Sequence, residues 1–118
     1  MSLWSVEARK RALRAVYHVD GLEVGLVKSD WQHGPEEAFA GYTRQQIKFG
    51  EPKVEEDGAV TVASTQQIVF PPYPTESDTM LVGWVVYHGK KELARGELRH
   101  PLRPPAGLQI VFLMGDLS

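Results

Sequence analysis

The chain has no cysteine, little net charge and no long apolar run, and each absence excludes a class of protein. Its 118 residues contain no cysteine, which excludes disulfides and thiol chemistry. The formal net charge is only −2, so we expect no nucleic-acid partner. No apolar run approaches the roughly 18 residues of a membrane span. The charged start of the chain lacks the apolar core of a signal peptide, so we expect neither membrane association nor secretion.

The sequence also lacks a motif for catalysis or for metal binding. No histidine has a partner at a zinc-ligand spacing such as His-x3-His, and no serine lies in a nucleophile elbow. The adjacent Glu36 and Glu37 point opposite ways on an extended chain, so they form no acid/base pair, and we interpret them as loop charge. We therefore expect no catalytic residue, no metal and no cofactor, and we predict that the chain is not an enzyme. The histidines interpreted as structural or surface residues are His18, His33, His88 and His100.

Only residues 5–17 show a helical pattern. Ser5 is a suitable N-cap, and Glu7 would face the positive end of the helix dipole. An apolar stripe at helical spacing comprises Trp4, Ala8, Ala12, Leu13, Val16 and Tyr17. The opposite face is basic. Two interpretations remain open, because such a helix either caps its own domain or docks onto a neighbour. The candidate assembly surface comprises Trp4, Arg9, Lys10, Arg11 and Arg14.

From Gly21 onward the apolar period changes from helical spacing to two, which indicates β-strands. Asp57-Gly58 is a hairpin signal, and the nearly continuous apolar run 81–87 predicts a central strand. The charged segment 93–98 predicts a strand near an edge. We predict one domain over residues 1–118, an all-β, antiparallel, jelly-roll-like β-sandwich with one N-terminal α-helix. The predicted strands are 22–27, 42–49, 60–62, 68–70, 81–87, 93–98 and 108–114, and the predicted core residues are Phe49, Phe70, Trp84, Val86 and Ile110.

Aromatic residues outside the predicted strands are the candidates for contact with a partner. Trp31 lies in a polar loop and Tyr73 lies in a proline-rich stretch, so both are possible partner contacts. A carbohydrate-binding module would use such exposed aromatics as a platform, and it is one alternative function. Trp84 lies inside an apolar run and is interpreted as core. The pattern Pro71-x-x-Pro74 matches a minimal polyproline ligand, but we favour a loop that ends a strand.

Four short motifs occur in an order that resembles a known family. Residues 41–52 read Gly-Tyr-Thr-Arg-Gln-Gln-Ile-Lys-Phe-Gly-Glu-Pro, similar to a Gly-Tyr-x-Arg strand that ends in Phe-Gly-x-Pro. An N-terminal helix and the motif Gly-Leu-Glu-Val-Gly-Leu-Val-Lys-Ser-Asp at 21–30 precede residues 41–52. The motifs Ile-Val-Phe-Pro at 68–71 and Gly-Trp-Val-Val-Tyr at 83–87 follow them. This order resembles small bacteriophage virion proteins described as tail-fibre-like or minor tail proteins. The chain departs from the pattern at 92–99 and 101–105.

The resemblance implies a structural role in a phage particle and implies no catalytic residues. The expected function is therefore a tail or tail-fibre-associated virion component that acts through assembly contacts, made in the host cytoplasm. The expected partners are further copies of the chain and other virion proteins, and nothing in the sequence supports binding to a host-surface glycan. A head decoration or cement protein of the capsid is the alternative within the same class.

Overall fold

The computed structural model describes residues 5–113, and it is mostly β with one N-terminal helix. Helix α1 spans Val6–Tyr17, as predicted. The Ser5 side chain accepts a hydrogen bond from the Ala8 amide at 3.1 Å, which satisfies one of the unpaired donors at the helix start. Trp4 of the candidate assembly surface and position 114, the last of the predicted strand 108–114, lie outside the described residues.

The described strands form three antiparallel sheets. Their bounds are β1 Leu22–Lys28, β2 Gln45–Gln46, β3 Lys53–Val54, β4 Val60–Thr61, β5 Ile68–Val69, β6 Leu81–His88, β7 Lys91–Leu102 and β8 Val111–Phe112. The main sheet has four strands in the order β2-β1-β6-β7, and the two small sheets are β3-β4 and β5-β8. The mainly β prediction is confirmed, but the described strands form neither a closed barrel nor two continuous sheets of a sandwich.

Strand β6 lies between β1 and β7, as its apolar run predicted. Strand β7 is at an edge, also as predicted, but it is longer than expected and includes Pro101. Between the pairs Leu81↔Leu102 and Gly83↔Glu97, two steps along β6 correspond to five along β7. The surplus residues form an irregularity that accommodates a proline, since proline cannot donate to a regular ladder. Pro101 is therefore part of β7, beyond the predicted strand 93–98.

The predicted strand 42–49 is much shorter in the structure. Only Gln45–Gln46 pairs with β1, and Phe49 forms an isolated bridge with Ser64. The alternation still places Ile47 and Phe49 in the core, as predicted. Pairing stops before Gln45 because the Tyr42 amide donates to Phe39 O in a turn, which takes the backbone away from β1.

The core lies along one face of the main sheet. Leu22, Val24 and Leu26 of β1 all point into it, as the period of two requires. Of the five predicted core residues, four are buried and Trp84 is partly buried. Its indole lies over Gly96, where a Cβ atom would collide with the ring. The confirmed core residues are Phe49, Phe70, Val86 and Ile110.

Phe70 is a sensitive test of this core. Its ring packs edge-on against Phe112 and is stacked with Tyr42, and only 1% of the residue is exposed. We expect Phe70→Ala to lower the free energy of unfolding by about 3–5 kcal/mol, because it leaves a cavity between packed rings. The adjacent Val69 is 42% exposed, so Val69→Ala should change stability by less than about 0.5 kcal/mol. Denaturation midpoints that coincide for both variants would contradict this core assignment.

Candidate functional site

The basic face of α1 turns partly toward its own domain. Arg14 Nε donates to Glu51 Oε2 at 2.8 Å, and Arg9 donates to the carbonyl of Gly58 at 3.0 Å. The hydrogen bond from Arg14 lowers the pKa of the Glu51 carboxyl below its ordinary value. Two of the four basic residues predicted to form an assembly surface therefore hold the helix on the chain itself.

The other candidate residues of this helix have different surroundings. Arg11 points away from the domain, with its side chain 78% exposed and 3.6 Å from the carboxylate of Glu7. Lys10 is partly buried, and its charge contributes to the lowered pKa of Glu51. The structure therefore separates the predicted surface into an inward pair, Arg9 and Arg14, and the outward residue Arg11.

An apolar cavity of about 230 Å³ lies between α1, β4 and the main sheet. Tyr17 of the helix meets Phe49 edge-on at 5.2 Å between ring centroids. No residue of α1 is buried, and the helix packs on the core through its partly buried Leu13 and Tyr17. We call this cavity the helix groove, and its apolar lining includes Leu13, Tyr17, Phe49, Val60, Val62 and Trp84.

The two predicted partner contacts, Trp31 and Tyr73, differ in how deeply they are buried. Trp31 is partly buried and lies against Gly83, where a Cβ atom would be 2.8 Å from the Trp31 Cβ. Its contact with a partner remains a prediction. Tyr73 is only 3% exposed, and its hydroxyl donates to Glu37 Oε2 at 2.9 Å. Its exposure was wrongly predicted, because a phenol next to a buried carboxylate is more stable inside the domain than on its surface.

Glu36 and Glu37 are not solvated loop charges, so that interpretation was wrong. They do point opposite ways, since residue 36 bridges to β1 in an extended segment. Glu37 is 6% exposed and lies between the Tyr73 hydroxyl and the Lys28 ammonium, which is 3.6 Å away. The buried carboxylate is thus satisfied by a phenol and a cation.

Glu36 is the centre of a polar cluster that the sequence did not reveal. Its carboxylate accepts a hydrogen bond from Tyr42 Oη at 2.6 Å. It also accepts bidentate hydrogen bonds from Nε and Nη2 of Arg44, the shortest of them 2.9 Å. The Arg44 guanidinium lies over the Tyr87 ring, 3.5 Å from its centroid. We call these four residues the Glu36 clamp. The sequence did contain one indication of this cluster, because the spacing of two between Tyr42 and Arg44 places both on one face of an extended segment.

The clamp also explains two features of β1. Tyr42 Oη accepts a hydrogen bond from the Leu26 amide at 3.0 Å, so a side chain takes the place of a partner strand where β2 has ended. A Cβ atom at Gly25 would collide with the Glu36 carboxylate and lie 2.7 Å from Tyr42 Oη. The glycine in β1 is therefore required by the close approach of the clamp.

Neither the described chemistry nor the comparisons point to a reaction. Within residues 5–113, no group of three or more His, Cys, Asp or Glu side chains is arranged to hold a metal ion. In the same part of the chain, no helix is long and apolar enough to cross a membrane. Comparison with protein-family models, with curated proteins and with solved structures finds no match.

The hydroxyl of Tyr42 should stabilise the domain measurably. Tyr42→Phe removes the donor to Glu36 and the acceptor for the Leu26 amide. We expect a loss of about 1–3 kcal/mol in the free energy of unfolding, because two partly buried polar groups lose their partner. Tyr17→Phe is the matched control, and it should be nearly neutral because the Tyr17 contact is made by the ring. Equal stability of the two variants in chemical denaturation would contradict the role of the clamp.

The buried phenol of Tyr73 and the partly buried phenol of Tyr42 also predict a sensitivity to alkaline pH. Burial, followed by the hydrogen bonds to Glu36 and Glu37, raises the pKa of Tyr42 and of Tyr73 above the ordinary value of 10.0. Their stabilising contribution is complete below that pH and is lost as pH rises above it, because the unfolded phenols ionise first. Chemical denaturation between about pH 9 and pH 12 should show a shallower decline for the double variant Tyr42→Phe/Tyr73→Phe. Parallel declines would contradict the assignment.

Proposed function

We propose that this chain is a structural component of a bacteriophage virion, associated with the tail or a tail fibre, and that it acts through assembly contacts. The proposal includes assembly with further copies of the chain and a sandwich-like domain in which the small sheets serve as the second layer. The four ordered motifs support it, since each supplies a part of the scaffold.

The motifs occupy structurally demanding positions. Residues 41–52 supply Tyr42 and Arg44 to the Glu36 clamp and Phe49 to the core. Residues 83–87 form the middle of the central strand. These motifs therefore supply residues of the scaffold, and they bring no reactive groups together. This is the pattern that a structural protein requires.

The observation that carries the proposal is an exposed apolar strip on the small β5-β8 sheet. Val69 and Val111 are cross-strand partners, and they are 42% and 40% exposed. Their neighbours Ile68 and Phe112 point into the core, so this sheet is apolar on both faces. A paired apolar patch on an outer sheet face is suited to burial against a neighbouring subunit. We call Val69 and Val111 the valine strip.

The alternatives differ in what they require of the same surface. A head decoration protein would use the same kind of contact at another position in the particle. A carbohydrate-binding module would require several exposed aromatics, and the burial of Tyr73 removes one of the two candidates. The assembly interpretation is therefore the one that the valine strip favours.

Purified particles provide the direct test. Particles of a phage that encodes the chain should contain it by mass spectrometry at a fixed copy number. Electron microscopy of particles with a labelled copy should place it at the tail, whereas density on the capsid would favour the decoration alternative. Absence of the chain from purified particles would reject the virion proposal.

A charge within the valine strip should impair assembly and leave the fold intact. We expect Val69→Asp to lower incorporation into particles at least several-fold, because burying an unpaired carboxylate at an interface is costly. Met80→Asp is the matched control, since Met80 is a similarly exposed apolar residue that lies outside the β5-β8 sheet. Circular dichroism should show that both variants fold. Equal incorporation of the two variants would exclude the valine strip as an assembly contact.

A further inference from the structure

Helix α1 is held on its own domain by the hydrogen bonds of Arg9 and Arg14 and by the packing of Leu13 and Tyr17. None of its residues is fully buried, and the helix groove lies beneath it. The connection from His18 to Gly21 is exposed throughout, and Gly21 adopts a φ of +82° that glycine reaches without strain. The helix therefore follows an exposed four-residue joint, residues 18–21, and its apolar contacts with the core are made by the partly buried Leu13 and Tyr17.

The helix and the surface that receives it have opposite charge. Helix α1 carries four basic residues and one acidic residue, whereas segment 51–57, which includes strand β3, carries four acidic residues and one basic residue. The pair Arg14–Glu51 joins the two directly at 2.8 Å. The receiving surface is thus complementary to this particular helix in charge as well as in its apolar groove.

We infer that α1 is exchanged between copies of the chain, so that the helix groove of one copy holds the α1 helix of a second copy. The inference rests on the proposed assembly function and names the contact between copies. The exchanged helix would make the contacts of Leu13, Tyr17 and Arg14 that it makes within one chain. Only the joint at residues 18–21 changes conformation, which makes exchange a low-cost route to an oligomer.

The length of the joint permits this exchange. Four residues of extended chain span about 13 Å, which lets the helix turn away from its own groove toward an adjacent one. Because the exchange is reciprocal, each copy gives one helix and receives one. Every exposed ion pair that holds the helix within a chain is then remade between chains.

A mixture of two full-length variants with reversed charges tests the exchange. One carries Arg14→Glu and the other Glu51→Arg, so that each has two like charges facing each other within its own chain. In an exchanged heterodimer both positions again hold opposite charges. The two variants are unfolded together in denaturant, refolded at high concentration and examined by native mass spectrometry. We expect heterodimers in several-fold excess over either homodimer.

A matched control separates exchange from general attraction between unlike charges. Arg11→Glu mixed with Glu7→Arg produces the same charge difference, but Arg11 and Glu7 pair within the helix and travel together. This mixture should show no preference for heterodimers. The same excess in both mixtures, or monomers alone in the Arg14/Glu51 mixture, would overturn the inference.

Wild-type chains with two isotope labels give a second measurement that needs no variant to fold. Refolded together, they should form mixed-label dimers whose yield rises with concentration, and monomers at every concentration would also overturn the exchange. This failure is distinguishable from failure of the proposed function. Presence in purified particles is measured independently, and a chain found there as a monomer would retain its virion role without exchange.

Discussion

The geometry of the domain depends on the carboxylate of Glu36. Such a group, partly removed from water, is costly unless charged and hydrogen-bonding partners surround it. Tyr42 and Arg44 supply them, and Arg44 in turn lies over the Tyr87 ring. These contacts tie residues 36–44 to the edge of β1 and require a glycine at position 25. The short β2 strand is a consequence, because the chain leaves the ladder to form this clamp.

The two faces of the main sheet therefore make different kinds of contact. One side carries the clamp, with polar groups satisfied close to the backbone of β1. The other carries the apolar core and, at its margin, the helix groove. The clamp ties residues 36–44 to β1, whereas the helix is joined by the Arg9 and Arg14 hydrogen bonds and by the packing of Leu13 and Tyr17.

The errors of prediction share one cause. Glu36, Glu37 and Tyr73 were interpreted as exposed, because charge and proline in the sequence are typical of loops. In the folded chain Glu37 and Tyr73 satisfy each other inside the domain, although they are 36 residues apart. Trp84 was expected to be fully buried, but the helix above it packs too loosely to close the groove. Each case depends on what another segment brings to the residue, and local pattern contains no such information.

The sequence by itself determined the helix, its N-cap, the Asp57-Gly58 turn, the central position of β6 and the inward side of most strands. These features follow from backbone chemistry and side-chain period, which act between residues close in the chain. The tertiary structure alone decided the Glu36 clamp, the burial of Tyr73 and the groove beneath α1. These depend on contacts between distant segments, and the balance between desolvation and pairing at such contacts is set only when the segments meet.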